Sequence, residues 1–325
     1  METFLCVFIY NPIFKILIIS ITYLIQFILC PICKEPMQFS LTSCECNRGH
    51  EFPVIDGIVD LLEDKNSNLL DEEEHWDDVA EKGRMKIVPN KYIRAKIVED
   101  YHKAFVECIE AAWTGTYPSH VSIADIGCGS GSAIRYLDKI GFENVDYTAI
   151  DLSIKYMRMC KTSRKILPNK WNIRLIRATA DKAIFEENSL DIVFSASALH
   201  HLDLASVIEW VSNSLKPNGL LILHEPSNSN PFAKIGRKLV QDFHTKGEKP
   251  ILPKHVKQLA YAYNLVLVYE KGLHYLTGPL EYLVGILGFP FPVAFCAYQI
   301  SRFIDSLITS PSCNYSFIQV YKKIG

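Results

Sequence analysis

VSIADIGCGSG, Val121–Gly131, decides the reading of this chain. Its first seven residues are an apolar run of strand length, broken by a turn in which Gly127, Gly129 and Gly131 alternate with other residues. AIRYLDKI, Ala133–Ile140, then has helical spacing. A strand, a glycine-rich turn and a helix make a cradle for a charged or polar ligand. Glycine accepts positive φ and lets the backbone approach closely. The next strand, DYTAI (Asp146–Ile150), ends at Asp151, where a carboxylate can bind the two hydroxyls of a ribose. Downstream the pattern alternates. Helix Ser153–Thr162 leads to strands Asn172–Ile176 and Leu190–Ser195, then to helix Leu204–Leu215 and strand Gly219–His224. Such alternation implies a mainly parallel sheet with helices on both faces.

Two cofactor classes use such a cradle. A dinucleotide fingerprint, G-x-G-x-x-G/A, needs a small third residue three positions after the second glycine. That position is Ser132, and the third glycine comes one residue early. ADIGCGSG instead resembles the D-x-G-x-G-x-G motif of class I S-adenosylmethionine-dependent methyltransferases. LDIVFSASALHHL (Leu190–Leu202) is similar to the fourth-strand signature of members that act on small molecules, and LKPNGLLILHEP (Leu215–Pro226) to the turn and fifth strand. The three strings and Asp151, in order and at the right spacing, carry a resemblance that extends over most of Val121–Glu225.

The resemblance implies a Rossmann-like α/β fold with a seven-stranded, mainly parallel sheet. It implies S-adenosylmethionine as cofactor, with the loop at Asp125, Gly127, Gly129 and Gly131 holding the methionine part and Asp151 the ribose; Leu152, Thr179, Ala180 and Ser195 complete the implied cofactor set. The family often has Gly-Asp-Ala after the third strand, its Asp accepting from the adenine amino group. Here Ala178-Thr179-Ala180-Asp181 puts Thr179 at that position, and a hydroxyl accepts without charge assistance. Asp181 substitutes only if the turn is wider. Cys128 sits where the family commonly has a cysteine with no covalent role. An acceptor hydroxyl or amine needs a base to take its proton. His200 and His201, at the carboxyl edge of the fourth strand, and His224 and Glu225, at the end of the fifth, are the candidates.

Residues 30–62 carry a second pattern. CPIC supplies Cys30 and Cys33, and Cys46 and His50 follow as a C-x3-H pair, with Cys44 as an alternative thiol. These four side chains can close a tetrahedral Zn²⁺ site, structural because no ligand position stays open. Reduced thiols without metal, or a disulfide, are the alternatives. HEFPVIDGIVDLL (His50–Leu62) resembles the tail of the zinc knuckle at the front of certain methyltransferases, among them enzymes that methylate a guanine of ribosomal RNA.

The amino end, residues 1–29, is apolar, with Lys15 the only charge between Phe4 and Leu29. It is long enough for a membrane anchor. A cleaved signal peptide would lack its basic region and cleavage site, and an upstream extension is the third reading. Residues 63–118 read as a helical linker or cap, opening with the acidic DEEEHWDD (Asp71–Asp78), a solvated face with no assigned chemistry. Helical periodicity follows over Lys91–Trp113.

The methyltransferase domain would occupy residues 119–325 with an apolar insertion at 273–314 before the last strand, Ser316–Tyr321. Within Leu273–Thr309 the only charges are Glu281, Arg302 and Asp305, and prolines divide the stretch into helices near Pro279–Leu287 and Pro292–Ile308. Such helices can lie on a membrane, roof an apolar pocket, or pack on the core or a dimer interface.

The chain has 325 residues, 49% apolar and 22% charged, with net charge −2. This composition excludes disorder and disfavours a strongly basic nucleic-acid binder. The expected activity is methyl transfer to a small-molecule or lipid-like acceptor at the cytoplasmic side, with contact to a membrane. Ribosomal-RNA methylation and a non-catalytic scaffold are the alternatives, with a nicotinamide oxidoreductase remote.

Overall fold

The computed structural model describes residues 28–40, 42–62, 67–82, 90–163, 171–182, 184–234, 251–308 and 310–325. The apolar stretch before Ile28 lies outside them. Val121–Ile126 (β5) is buried at every position, as expected of a central strand covered on both faces. It pairs in parallel with Val145–Asp151 (β6) on one side and Leu190–Ala196 (β8) on the other. Trp171–Arg177 (β7) extends the sheet beyond β6, and Leu215–Pro226 (β9) extends it beyond β8. Ser316–Lys323 (β11) inserts antiparallel between β9 and Leu265–Leu273 (β10).

The sheet is larger than the seven strands expected. Met37–Phe39 (β1), Ser43–Cys46 (β2), Glu51–Ile55 (β3) and Ile58–Asp60 (β4) form a meander whose last strand pairs in parallel with β7. The result is one eleven-stranded sheet, and half of its ten strand pairings are antiparallel. It is therefore mixed and not mainly parallel. β4 satisfies backbone groups on the open edge of β7 at Leu175–Arg177, and β1, β2 and β3 pair with one another outward from it.

Alternate side chains of the strands feed two apolar cores. On one face lie Lys91–Ala112 (α2), Ser132–Leu137 (α3) and Ile154–Ser163 (α4). On the other lie Leu204–Ser214 (α5) and Pro253–Ala262 (α6), with the amino-terminal strands. The apolar insertion forms Thr277–Ile286 (α7) and Phe291–Leu307 (α8), which pack on α2 through Ile93, Ile97, Val284, Ala294 and Tyr298. No helix among the described residues is long and apolar enough to cross a membrane.

The acidic run lies in Ser67–Lys82 (α1), where Asp71, Glu74 and Asp78 keep a solvated face while Glu72, Glu73 and Asp77 on the other side find partners. Arg177, only 5% exposed at the end of β7, donates to Asp60 of β4 at 2.6 Å and to Glu73 of α1. One guanidinium thus ties the meander, the acidic helix and the sheet together. Replacing it takes the cation from two part-buried carboxylates, so Arg177→Met should lower unfolding free energy by about 3 kcal/mol, measured by urea denaturation.

Candidate functional site

The turns after β5, β6 and β8 meet at one edge of the sheet. Gly127 has φ +66°, and a Cβ there would fall 2.3 Å from Ala198 Cβ, so the turn packs flush against the segment after β8. Gly131 has φ +79°, and its Cβ would meet Cys160 Sγ at 2.8 Å. Gly129 faces open space, and its N–H donates to Asp151 Oδ2 at 2.8 Å. The other oxygen of Asp151 accepts the Ser153 N–H at 2.9 Å, which orients the start of α4. Burial pushes the Asp151 carboxyl up from its ordinary range. Asp125, 1% exposed, sits behind the glycine turn and accepts the Tyr147 O–H. Burial pushes its carboxyl up to about 7; the charge of Asp151 adds to this and the Tyr147 bond opposes it. Cys128 is buried against Met157, and its thiol is held far above the ordinary range by Cys160 and by burial, which suits packing and not nucleophilic attack.

The Leu152 carbonyl accepts from Arg177 Nε at 3.2 Å. Ala180 accepts the Trp210 indole N–H at 2.9 Å through its carbonyl, beside the half-buried Thr179. Asp181 is directed away, to the Asp203 N–H at the start of α5, 2.8 Å distant. Ser195 closes this edge, with its hydroxyl buried and lacking a hydrogen-bond partner.

The acid–base candidates separate into two places. Glu225 is fully buried. One of its oxygens accepts the Ala198 and Leu199 N–H groups at 3.1 and 2.9 Å, and the other lies 2.7 Å from His200 Nδ1. Glu225 therefore orients His200 and does not itself face an acceptor. His201 stands next to His200, 3.2 Å from Glu72 of α1 and edge-on to Trp76. His224 lies on the opposite face of the sheet against Tyr101 and Phe105 of α2, and burial pushes its imidazole down to about 4.

Sequence reasoning missed α1. Asp77 accepts from Ser153 Oγ and from the Lys155 N–H, at 2.5 and 3.2 Å, so together with Glu72, Glu73 and Trp76 it lays one helix face across the site. The signal was present as spacing: positions 72, 73, 76 and 77 share a face, with a tryptophan among acids.

At the far edge of the sheet, the ligand atoms of Cys30, Cys33, Cys46 and His50 all lie within 4.8 Å of one another. Cys33 and Cys46 sulfurs are 3.5 Å apart, and His50 Nδ1 is 3.3 Å from Cys46 and 3.6 Å from Cys30. A tetrahedron with Zn–S bonds of ~2.3 Å has sulfur–sulfur edges of about 3.8 Å, so three thiols and an imidazole fit that ion. The four cysteines of this segment are free thiols in the structure. Cys44 is buried on β2 outside the quartet.

Residues 124–223 match the family model described as a methyltransferase domain. That match spans less than a third of the chain. Ubiquinone biosynthesis O-methyltransferase of Colwellia psychrerythraea is 28% identical over 192 residues, 56% of this chain and 75% of that protein. Hybrid PKS-NRPS synthetase thnA of Trichoderma harzianum is 32% identical over 123 residues, 37% of this chain but only 3% of the synthetase. Among solved structures, geranyl diphosphate C-methyltransferase from Streptomyces coelicolor A3(2) has a TM-score of 0.53 at 12% identity, covering 81% of this chain and all of that one. A chain from the complex of the Haloferax volcanii Trm112 methyltransferase activator with a methyltransferase has a TM-score of 0.51 at 17% identity, covering 77% of this chain and 98% of that one. These structural likenesses establish the fold.

Asp125 generates a test of the geometry behind the glycine turn. With a native value of about 7 against an ordinary value near 4, the folded chain holds a proton that the unfolded chain has released across that window. Stability should therefore fall as pH rises from about 4 to about 7. Asp125→Asn should flatten that slope in urea melts taken across the same range.

Proposed function

We propose that this chain transfers a methyl group from S-adenosylmethionine to a small, largely apolar acceptor. The observation that carries the reading is the Asp151 clamp on Gly129 at the mouth of the glycine turn, within the segment that matches the methyltransferase family. The residues fit the cofactor. The open space at Gly129 would take its methionine part, Asp151 the ribose hydroxyls, and Thr179 with Ala180 the adenine, while Ser195 Oγ offers an unused polar atom. When bound, the cofactor supplies an activated sulfonium methyl, so the protein's main tasks are alignment and removal of a proton.

His200 is the residue for proton removal. With Nδ1 donating to Glu225, its lone pair falls on Nε2, which takes the proton of the attacking group. Glu225 then stabilises the imidazolium it faces. The relatives' printed activities and the exposed apolar side chains of α7 and α8, Phe291, Phe303 and Leu307 among them, support a lipid-like acceptor used at a membrane surface. Cys30, Cys33, Cys46 and His50 hold a structural Zn²⁺ in this reading, since all four positions are protein ligands.

Asp151→Ala should weaken S-adenosylmethionine binding by about 2 kcal/mol, roughly thirtyfold, in calorimetric titration. Incubated with labelled methyl donor, a lipid extract should take up label and an RNA extract should not; label in RNA would reverse the acceptor class. Metal analysis should find one zinc per chain, and Cys46→Ser should lose it together with part of the thermal stability.

A further inference from the structure

The α7–α8 hairpin carries an apolar surface that the rest of the described fold does not cover. Ala294, Tyr298, Ser301 and Asp305 form the inner stripe of α8, at i, i+4, i+7 and i+11, and are buried. The opposite face presents Val293, Cys296, Ile300, Phe303 and Leu307, all exposed and none charged. Ile300, Phe303 and Leu307 are 62, 67 and 69% exposed. Leu283 and Ile286 of α7 extend the exposed apolar set. Half of the large apolar side chains that stand exposed among the described residues fall between Leu283 and Leu307. A helix apolar on all sides is ordinarily buried on all sides, and an exposed patch of this kind marks an interaction surface.

Charge beside the hairpin narrows the choice of occupant. The Asn90 N–H at the start of α2 donates to the Glu281 carbonyl of α7 at 3.1 Å, and the Tyr92 ring lies 5.0 Å from Phe291 and 5.7 Å from Tyr298. The amino end of α2 therefore borders the apolar surface. It is basic, since residues 82–98 hold six cations and no acid in a chain of net charge −2. Arg94 is paired with Glu281 and Arg302 with Asp100, while Lys96 and Lys103 share the carboxylate of Glu99. Lys91 is exposed and pairs with no acid among the described residues. A surplus of positive charge thus stands beside a tyrosine ring and two uncharged helix faces, which matches the headgroup layer of an anionic bilayer. A second copy of this chain would bring the same surplus to the contact, and an uncharged partner would leave it uncompensated.

We infer that the outer face of α8, with the exposed residues of α7 and the basic start of α2, docks on an anionic lipid bilayer. The uncharged side chains enter the interfacial layer, and Lys91 and Lys96 meet the anionic headgroups. β10 ends at Leu273, in register with Ser316 and through it with Pro226 at the end of β9. The hairpin therefore leaves the sheet at the edge where the turns after β5, β6 and β8 meet. A docked chain holds that open edge close to the bilayer, where an acceptor of low water solubility resides. This last consequence rests on the methyltransferase reading; the docking itself does not.

The test floats the full-length chain with vesicles of phosphatidylcholine alone or with about 30% phosphatidylserine. At about 0.1 M salt the anionic vesicles should bind it about tenfold more tightly, and at about 0.5 M most of that difference should vanish. Ile300→Gln combined with Phe303→Gln should weaken binding to the anionic vesicles at least about tenfold, because two apolar side chains no longer enter the interface. Lys91→Gln combined with Lys96→Gln should remove most of the preference for anionic lipid and leave binding to neutral vesicles unchanged. These side chains lie at the surface, so thermal stability and S-adenosylhomocysteine affinity should match the unaltered chain in both variants. Equal binding to the two kinds of vesicle, or anionic binding that survives the α8 substitutions, overturns the inference. A concentration-dependent dimer that the α8 substitutions dissolve, in a chain that ignores vesicles, overturns it in favour of a second copy. Vesicle binding without S-adenosylhomocysteine binding would leave this surface standing and remove the methyltransferase reading; the reverse result would do the opposite.

Discussion

The Asp151 carboxylate joins the glycine turn to the start of α4, beside the packing of Cys128 on Met157 and of Gly131 on Cys160. One oxygen holds the Gly129 N–H and the other the Ser153 N–H, so the loop after β5 and the start of α4 are fixed relative to each other from the end of β6. The glycine turn at the open edge takes its position in large part from that bond pair. Gly127 can lie against Ala198 only while the loop keeps its left-handed turns, and Ala198 in turn is held by Glu225 from the end of β9. Four strands thereby set the placement of one small cleft, which is how an open α/β sheet makes a precise site out of loops.

Glu225 adds a second layer to the same edge. A fully buried carboxylate is tolerable because two backbone N–H groups and an imidazole satisfy it. Its removal would release the 199–201 turn and the ring of His200 together. The acidic helix α1 complements this from the outside, since Glu72 reaches His201 and Asp77 reaches the start of α4. Backbone turns shape one wall of the site and carboxylate contacts of a distant helix shape the other.

The two kinds of wall were not equally legible in the sequence. Strands β5, β6, β8 and β9 and the glycine turn were readable because burial on both faces gives unbroken apolar runs and because only glycine suits the turn. The helices at α7 and α8 were readable from prolines that delimit uncharged stretches. The eleven-stranded sheet was not, because the pairing of β4 with β7 joins residues more than a hundred positions apart and leaves no periodic trace. The role of α1 was hidden for a related reason. A run of acids looks solvated until its partners, Arg177, His201 and Ser153, are brought to it by the fold.

The meander at the start of the described chain has a consequence for colloidal behaviour. A parallel sheet ending at β7 would present a row of bare N–H and C=O groups, a template on which another molecule could extend the ladder. Here β4 covers Leu175–Arg177 of that row, and the hydrogen-bonding continues outward through β3 and β2 to β1, which has three residues. The thiol and imidazole quartet sits within this border of short strands. If the quartet came apart, the border would fray and uncover more of β7, and that would express itself as self-association of the protein before any loss of its central fold.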